Sequence, residues 1–207
     1  MDKTLRYAAY AGIVSMSLWL IKFTEIFEGK GFFISILLRT GILLSIVIFY
    51  WGLKSLGEKT QNRIMKNTAY VAIIWMTISF LLWLISEETS LIDSYLSHNI
   101  FVVLSIIEGF IAVAFGVAFL ELRKRYGSIA TATAITGISS GVFMATSILT
   151  LDPIKEIVTE GSVIESIRII IGLIVIAGFL LSAIGLLLSR ILIVLGVVIL
   201  YKASKEF

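Results

Sequence analysis

Long apolar runs, separated by short polar and charged segments, follow one another along the whole chain. The runs from Phe32 to Leu56, from Ile64 to Ser86 and from Ile100 to Leu122 show the pattern. A helix of about 20 apolar residues, rising about 1.5 Å per residue, crosses a bilayer core of about 30 Å. Each run reaches that length, so the pattern predicts a bundle of membrane-spanning helices.

The final apolar stretch, Ile167 to Tyr201, is too long for one crossing. It would form about 50 Å of helix, so we predict a tight turn at Ser182 to Gly185, which leaves Arg190 about one turn below the membrane interface. A long or broken final helix, giving six spans, is the alternative. We therefore predict a single all-α domain, residues 1–207, that forms a polytopic transmembrane helix bundle of seven spans. The predicted spans are residues 6–26, 32–56, 64–86, 100–122, 128–151, 163–182 and 185–203.

Two boundaries rest on local signals. No small-x-small cleavage site follows the apolar residues 7–21, so we expect an uncleaved first span. Asp152-Pro153 is expected to end the fifth span, because proline favours the first position of a new helix.

Lysine and arginine are unevenly distributed between the two sides of this topology. With the N-terminus in the cytoplasm, ten of these residues fall inside and four outside. Cytoplasmic segments carry the excess of Lys and Arg in membrane proteins, so we predict a cytoplasmic N-terminus. Seven spans would place the C-terminus outside, against the mild preference of Lys202 and Lys205 for the inside. The inner residues are Lys3, Arg6, Lys54, Lys59, Arg63, Lys66, Arg123, Lys124, Arg125 and Arg190, and the outer ones are Lys22, Lys30, Lys155 and Arg168.

Composition agrees with a membrane protein and excludes several chemistries. Hydrophobic residues make up 58% of the chain and charged residues only 15%, whereas soluble domains carry about 25% charged residues. The net charge of +3 does not indicate nucleic-acid binding, because the basic residues gather at helix ends. With no cysteine and one histidine, His98, the chain alone cannot build a thiolate or multi-histidine metal site. We expect no cofactor, no metal and no catalytic residue, and therefore no enzyme.

The turn from Leu53 to Arg63 joins two apolar runs into a hairpin, and similar hairpins recur along the chain. In this general pattern the chain resembles archaeal multi-pass membrane proteins. The resemblance implies an integral membrane protein. Because those proteins carry no agreed activity, it implies no site residues.

Two charged residues, Arg39 and Glu108, interrupt the apolar runs. Glu108 is about 12 Å from the outer end of its predicted span, and Arg39 about 10 Å from the outer end of its own. A charge at that depth costs several kcal/mol unless it has a partner. We therefore predict that Arg39 and Glu108 form an intramembrane ion pair, which either fixes helix packing or belongs to a pathway.

The fifth predicted span is rich in small and hydroxyl-bearing residues. Small residues allow helices to approach closely, and hydroxyl groups bond across helices or back to their own helix. This span is therefore a candidate for either a central packing helix or the lining of a polar path. The residues that carry the prediction are Thr136, Gly137, Ser139, Ser140 and Gly141, with Gly137 and Gly141 in a GxxxG arrangement.

These patterns favour a multi-pass protein of the cell membrane. We expect its partners to be the lipid bilayer and other membrane subunits or further copies of the chain, and not nucleic acid. The lack of catalytic groups favours a membrane-embedded accessory or interaction subunit. The alternative is a small transporter or channel for an ion, a proton or a small solute, which would use Arg39, Glu108 and the hydroxyl-rich fifth helix.

Overall fold

A computed structural model describes residues 1–23, 32–89, 94–159 and 165–207 of the chain. These residues are almost entirely helical, and no strand occurs among them. The predicted all-α class is therefore confirmed. The helices are α1 (Lys3–Phe23), α2 (Phe32–Lys59), α3 (Arg63–Thr89), α4 (Ser94–Glu121), the short α5 (Arg123–Tyr126), α6 (Ser128–Thr159) and α7 (Glu165–Glu206).

The six long helices form a closed ring. Each packs against the next along the chain, from α1 to α2, α3, α4, α6 and α7, and α1 also packs against α7. Close to this closure, the backbone N–H of Asp2 donates to the carbonyl of Ser204 at 2.8 Å. The start of α1 and the end of α7 therefore lie at the same end of the bundle. We call this the turn end, because the turns at residues 60–62 and 122–127 also lie there.

Among the residues that the structure describes, five helices are long and apolar enough to cross a membrane. α1, a helix of 21 residues that contains Lys3, Arg6 and Lys22, is not one of the five. The described residues thus confirm the all-helical class, with several helices that are long and apolar enough to cross a membrane. The five segments are Ile34–Lys59, Arg63–Ile85, Val103–Glu121, Ser128–Thr146 and Ile176–Glu206.

Two predicted helix breaks are wrong. α7 continues through Ser182 to Gly185 as one helix of 42 residues. A Cβ at Gly185 would lie 3.3 Å from the backbone N of Met144, so this glycine serves a close crossing of α6 and α7 rather than a turn. α6 likewise continues through Pro153 to Thr159. A proline removes one backbone donor, which weakens a helix locally without having to end it.

The turn between α2 and α3 is built from specific caps. Gln61 has a left-handed φ of 57°, and the N–H of Asn62 donates to the carbonyl of Gly57 at 2.8 Å, as in a Schellman motif. The Asn62 side chain accepts a bond from the N–H of Met65 and donates to the carbonyl of Ala118, both at 2.8 Å. Asn62 thereby caps α3 and ties it to the last turn of α4.

The last residues of α7 are held at the turn end by charge and aromatic contacts. The guanidinium of Arg125 pairs with Glu206 at 2.8 Å and lies 4.3 Å from the ring of Phe207. The Tyr126 hydroxyl donates to the same carboxylate at 3.4 Å. Burial, and then the charge of Glu206, raises the pKa of Tyr126 to about 12, so this donor keeps its proton at neutral pH.

Candidate functional site: a charged chamber inside the helix ring

Two adjoining cavities lie inside the ring of helices. The inner cavity has a volume of about 120 Å³, and the outer cavity, the more open of the two, a volume of about 300 Å³. Met76, Glu108 and Arg190 line both. We call the two cavities together the chamber. The outer cavity is lined by residues from the second halves of α1 and α3 and the first half of α2, so it lies toward the end of the bundle opposite the turn end.

Two residues of opposite charge, from different helices, line both cavities. Glu108 comes from α4 and Arg190 from α7, and the two side chains attract each other electrostatically. Counted from the turn end, Glu108 lies about 20 Å along its helix and Arg190 about 24 Å. A helix that crosses a bilayer with its headgroups covers about 40–45 Å, so both residues lie near the middle of that length. Ionisable side chains in the middle of helices of membrane-crossing length are rare and are characteristic of functional positions.

Several polar atoms of the chamber lack a protein hydrogen-bond partner. Nε of Arg190, Nε1 of Trp75 and Oγ of Ser79 are buried, and no acceptor or donor within the described ranges reaches them. Trp75 lines the inner cavity and Ser79 the outer one. Buried polar groups normally have partners, so these three atoms mark the chamber as a place where a polar solute would gain hydrogen bonds.

Each arginine of the chamber lies over an indole ring. The guanidinium of Arg39 is 3.7 Å from the ring centre of Trp83, and that of Arg190 is 4.7 Å from Trp19. Both distances are well within the range of a cation–π contact. All four side chains belong to the lining of the outer cavity.

The two charged residues singled out from the sequence come to the same cavity. Arg39 and Glu108 both line the outer cavity, while a direct ion pair between them stays a prediction. Arg39 lies about 30 Å from the turn end, some 10 Å further along than Glu108. The predicted depths were similar because the span of Glu108 was expected to begin at residue 100, whereas α4 begins at Ser94.

Arg190 is the chamber residue that the sequence interpretation placed wrongly. The expected turn at residues 182–185 put it near the membrane interface, where it would reach outward. Because α7 is continuous, Arg190 instead lies inside the ring. The available signal was the same as for Arg39: a single cation inside a long apolar run.

The hydroxyl groups of α6 make contacts within and between helices. Thr136 donates to the carbonyl of Ala132 on its own helix at 2.8 Å. Ser140 is fully buried and donates to the carbonyl of Gly185 on α7 at 2.9 Å. Ser139 is half-buried. The residue that α6 contributes to the inner cavity is Met144.

The glycines of α6 lie against α4. A Cβ on Gly137 would be 2.9 Å from the carbonyl oxygen of Ala112, and one on Gly141 would meet the carbonyl oxygen of Gly109. Backbone approach of this kind is what small residues permit in membrane bundles.

Within the described ranges, no three His, Asp or Glu side chains come together in a way that would hold a metal ion. The chemistry that the chamber offers is therefore described by its charges, its hydrogen-bond donors and its apolar walls. Compared with protein-family models, with curated proteins and with solved structures, the chain has no match.

Proposed function

We propose that this protein is a small transporter of the cell membrane, which takes a small solute into the chamber and moves it across the bilayer. The observation that carries the proposal is that Glu108 and Arg190, which come from different helices and have opposite charges, both line each of the two adjoining cavities. Charged side chains inside membrane bundles are expensive, and they mark substrate and ion pathways. The sequence alone favoured an accessory subunit. Such a subunit has no need of opposite charges in its interior beside polar atoms that lack a hydrogen-bond partner.

The proposed topology has six crossings, with α1 as the first and α7 as a single long last one. An even number agrees with the bond that joins Asp2 to Ser204 at one end of the bundle. The proposed orientation puts the turn end in the cytoplasm, since Arg63 and the basic residues 123–125 lie there. Lys202 and Lys205, which opposed a seven-span topology, then lie on the side that they prefer.

Access to the chamber from water tests this proposal directly. The chain contains no cysteine, so a single introduced thiol is the only one that a reagent can modify. Ser79→Cys reports on the outer cavity and Ser189→Cys on the inner one. In vesicles of known protein orientation, a charged, membrane-impermeant methanethiosulfonate reagent is added to one face at a time. We expect Ser79→Cys to react from the face opposite the turn end, and Ser189→Cys to react from both faces.

Ile74→Cys is the matched control, because Ile74 on the same helix as Ser79 is 59% exposed on the outside of the ring. Its thiol would face lipid, and the charged reagent should leave it unmodified. Modification of Ser189→Cys from one face only would contradict transport and indicate a one-sided binding site. If neither chamber thiol reacted, the accessory role would be favoured, and co-purification of a stoichiometric membrane partner would support it.

A further inference from the structure

We propose that the solute taken by the chamber is a small organic oxyanion, a carboxylate on a compact apolar body, with Arg190 and Trp75 as its hydrogen-bond donors. This inference rests on the proposed function, because it names the solute of the same chamber. It is carried by the kind of polar atom left without a partner, by the charges of the lining and by the size and walls of the inner cavity.

The buried atoms without a partner are hydrogen-bond donors, so a solute that binds them must supply a hydrogen-bond acceptor. Nε of Arg190 and Nε1 of Trp75 are N–H donors with no lone pair to offer, and the hydroxyl of Ser79 can donate as well. A solute that brought an ammonium group would leave the two N–H groups unsatisfied. A carboxylate accepts from both, and a guanidinium binds it through two parallel bonds.

The described lining of the outer cavity carries more basic than acidic side chains. Lys22, Arg39 and Arg190 line the outer cavity together with one acid, Glu108. Arg190 is the cation that both cavities share, so it is the anchor for a negatively charged group.

The inner cavity sets the size and character of the rest of the solute. Its walls include the rings of Phe49, Tyr50 and Phe115, and the rings of Tyr50 and Phe115 stack at 5.4 Å. The volume of about 120 Å³ is close to that of a cavity of about 150 Å³ that accepts benzene. A body of one aromatic ring or a short branched chain fits such a space, with its carboxylate directed toward Arg190.

Glu108 opposes the anion and competes for Arg190. Its carboxylate attracts the guanidinium in the empty chamber, and a bound carboxylate would take over part of that attraction. Glu108 is therefore a residue that limits affinity, whereas Arg190 supplies it. The two residues are expected to affect binding in opposite directions, which a merely structural ion pair would not do.

Three probes of nearly equal shape test the inference: benzoate, neutral benzamide and cationic benzylamine. Binding to the purified full chain is measured by titration calorimetry. Protection of the Ser189→Cys thiol from the methanethiosulfonate reagent is measured in parallel, to show that the probe occupies the chamber. We expect benzoate to bind and benzamide to bind about 10- to 100-fold more weakly, as for the loss of a charge-assisted bond. Benzylamine should give no protection.

Variants assign the roles of the named residues. Trp75→Phe keeps an aromatic wall and loses the donor, so benzoate affinity should fall about fivefold. Trp51→Phe, at a ring that is 49% exposed on the outside, is the matched control and should change nothing. Glu108→Gln should tighten benzoate binding at least about fivefold. Because Arg190→Gln alone leaves a buried acid without its counterion, the double variant Glu108→Gln/Arg190→Gln keeps the chamber neutral, and it should lose the preference for benzoate over benzamide.

The outcomes separate this inference from the proposed function. Tighter binding of benzylamine than of benzoate, abolished by Glu108→Gln, would overturn the anion assignment and leave transport standing. The anion assignment would also fail, with transport still standing, if Ser189→Cys reacted from both faces but none of the three probes bound. If Ser189→Cys reacted from neither face, the chamber would be closed to water and the proposed function itself would fail.

Discussion

A single residue, Gln61, has an unusual backbone in the turn between α2 and α3. Within the described ranges it is the non-glycine residue with a positive φ, 57°. Its side chain is exposed, so its Cβ adds strain without adding buried contacts. Glycine is the common residue at this position of a Schellman motif because it has no Cβ to clash.

Gln61→Gly should therefore stabilise the folded chain by about 1 kcal/mol. The measurement is the free energy of unfolding of the detergent-solubilised protein. Gln61→Ala is the control, since it removes the same polar group but keeps the Cβ, and it should give no gain. Equal stabilisation by the two substitutions would mean that the side chain, and not the backbone angle, is responsible.

At the scale of the element, the contact of α4 with α6 depends on the absence of side chains. A Cβ at Gly141 would meet the backbone of Gly109 and come 2.5 Å from a methyl group of Val113. The carbonyl belongs to a rigid helix, so Gly141→Ala should force the helices apart and destabilise the fold by about 1–3 kcal/mol. The measurement is again the free energy of unfolding in detergent.

Gly41 provides the control for that substitution. A Cβ there would approach only the end of the flexible Leu18 side chain, at 3.1 Å. Gly41→Ala lies inside α2 and should be neutral or stabilising by up to about 1 kcal/mol, because alanine favours a helix over glycine. If both alanine variants were equally stable, close packing of α4 on α6 would not contribute to stability.

The same scale shows how far local sequence can predict this fold. The apolar runs place the long helices well, since length and apolarity are local properties. The breaks expected at Pro153 and at residues 182–185 failed for a different reason. A small residue such as Gly185 suits either a turn or a close helix crossing, and only the position of the neighbouring helix decides between them.

The candidate site follows the same logic. A charge inside an apolar run stands out in the sequence, and in this way Arg39 and Glu108 were found. Which charged residues line the same cavity depends on the order of the helices around the ring. That order cannot be predicted from any single apolar run. Arg190 joined the chamber because α7 stays continuous and faces α4 and α2 across the interior.

At the scale of the whole molecule, Asp2 holds the two ends of the ring together. One carboxylate oxygen caps α1 by accepting from the N–H of Leu5 at 3.0 Å. The other pairs with Lys59 at the end of α2 at 2.8 Å. The hydrogen bond from Lys59, and then that from Leu5, holds the pKa of Asp2 below its ordinary value of 3.8. The folded chain therefore binds a proton at Asp2 less readily than the unfolded chain does.

This difference predicts a pH-dependent contribution of Asp2 to ring closure. For a carboxylate whose pKa is lowered by folding, the stabilisation is complete above the unfolded value and is lost as the pH falls below it. Asp2→Asn keeps an oxygen for the N–H of Leu5 and loses the charge, so it should lower stability by about 0.5–1 kcal/mol at pH 7. The difference from the unsubstituted chain should shrink toward zero below pH 3.8, when melting temperatures are compared across pH.

Asp2→Ala also loses the cap, so it should cost about 1 kcal/mol more at every pH. If the Asp2→Asn deficit were the same at pH 7 and pH 3, the Lys59 pair would play no part in closing the ring.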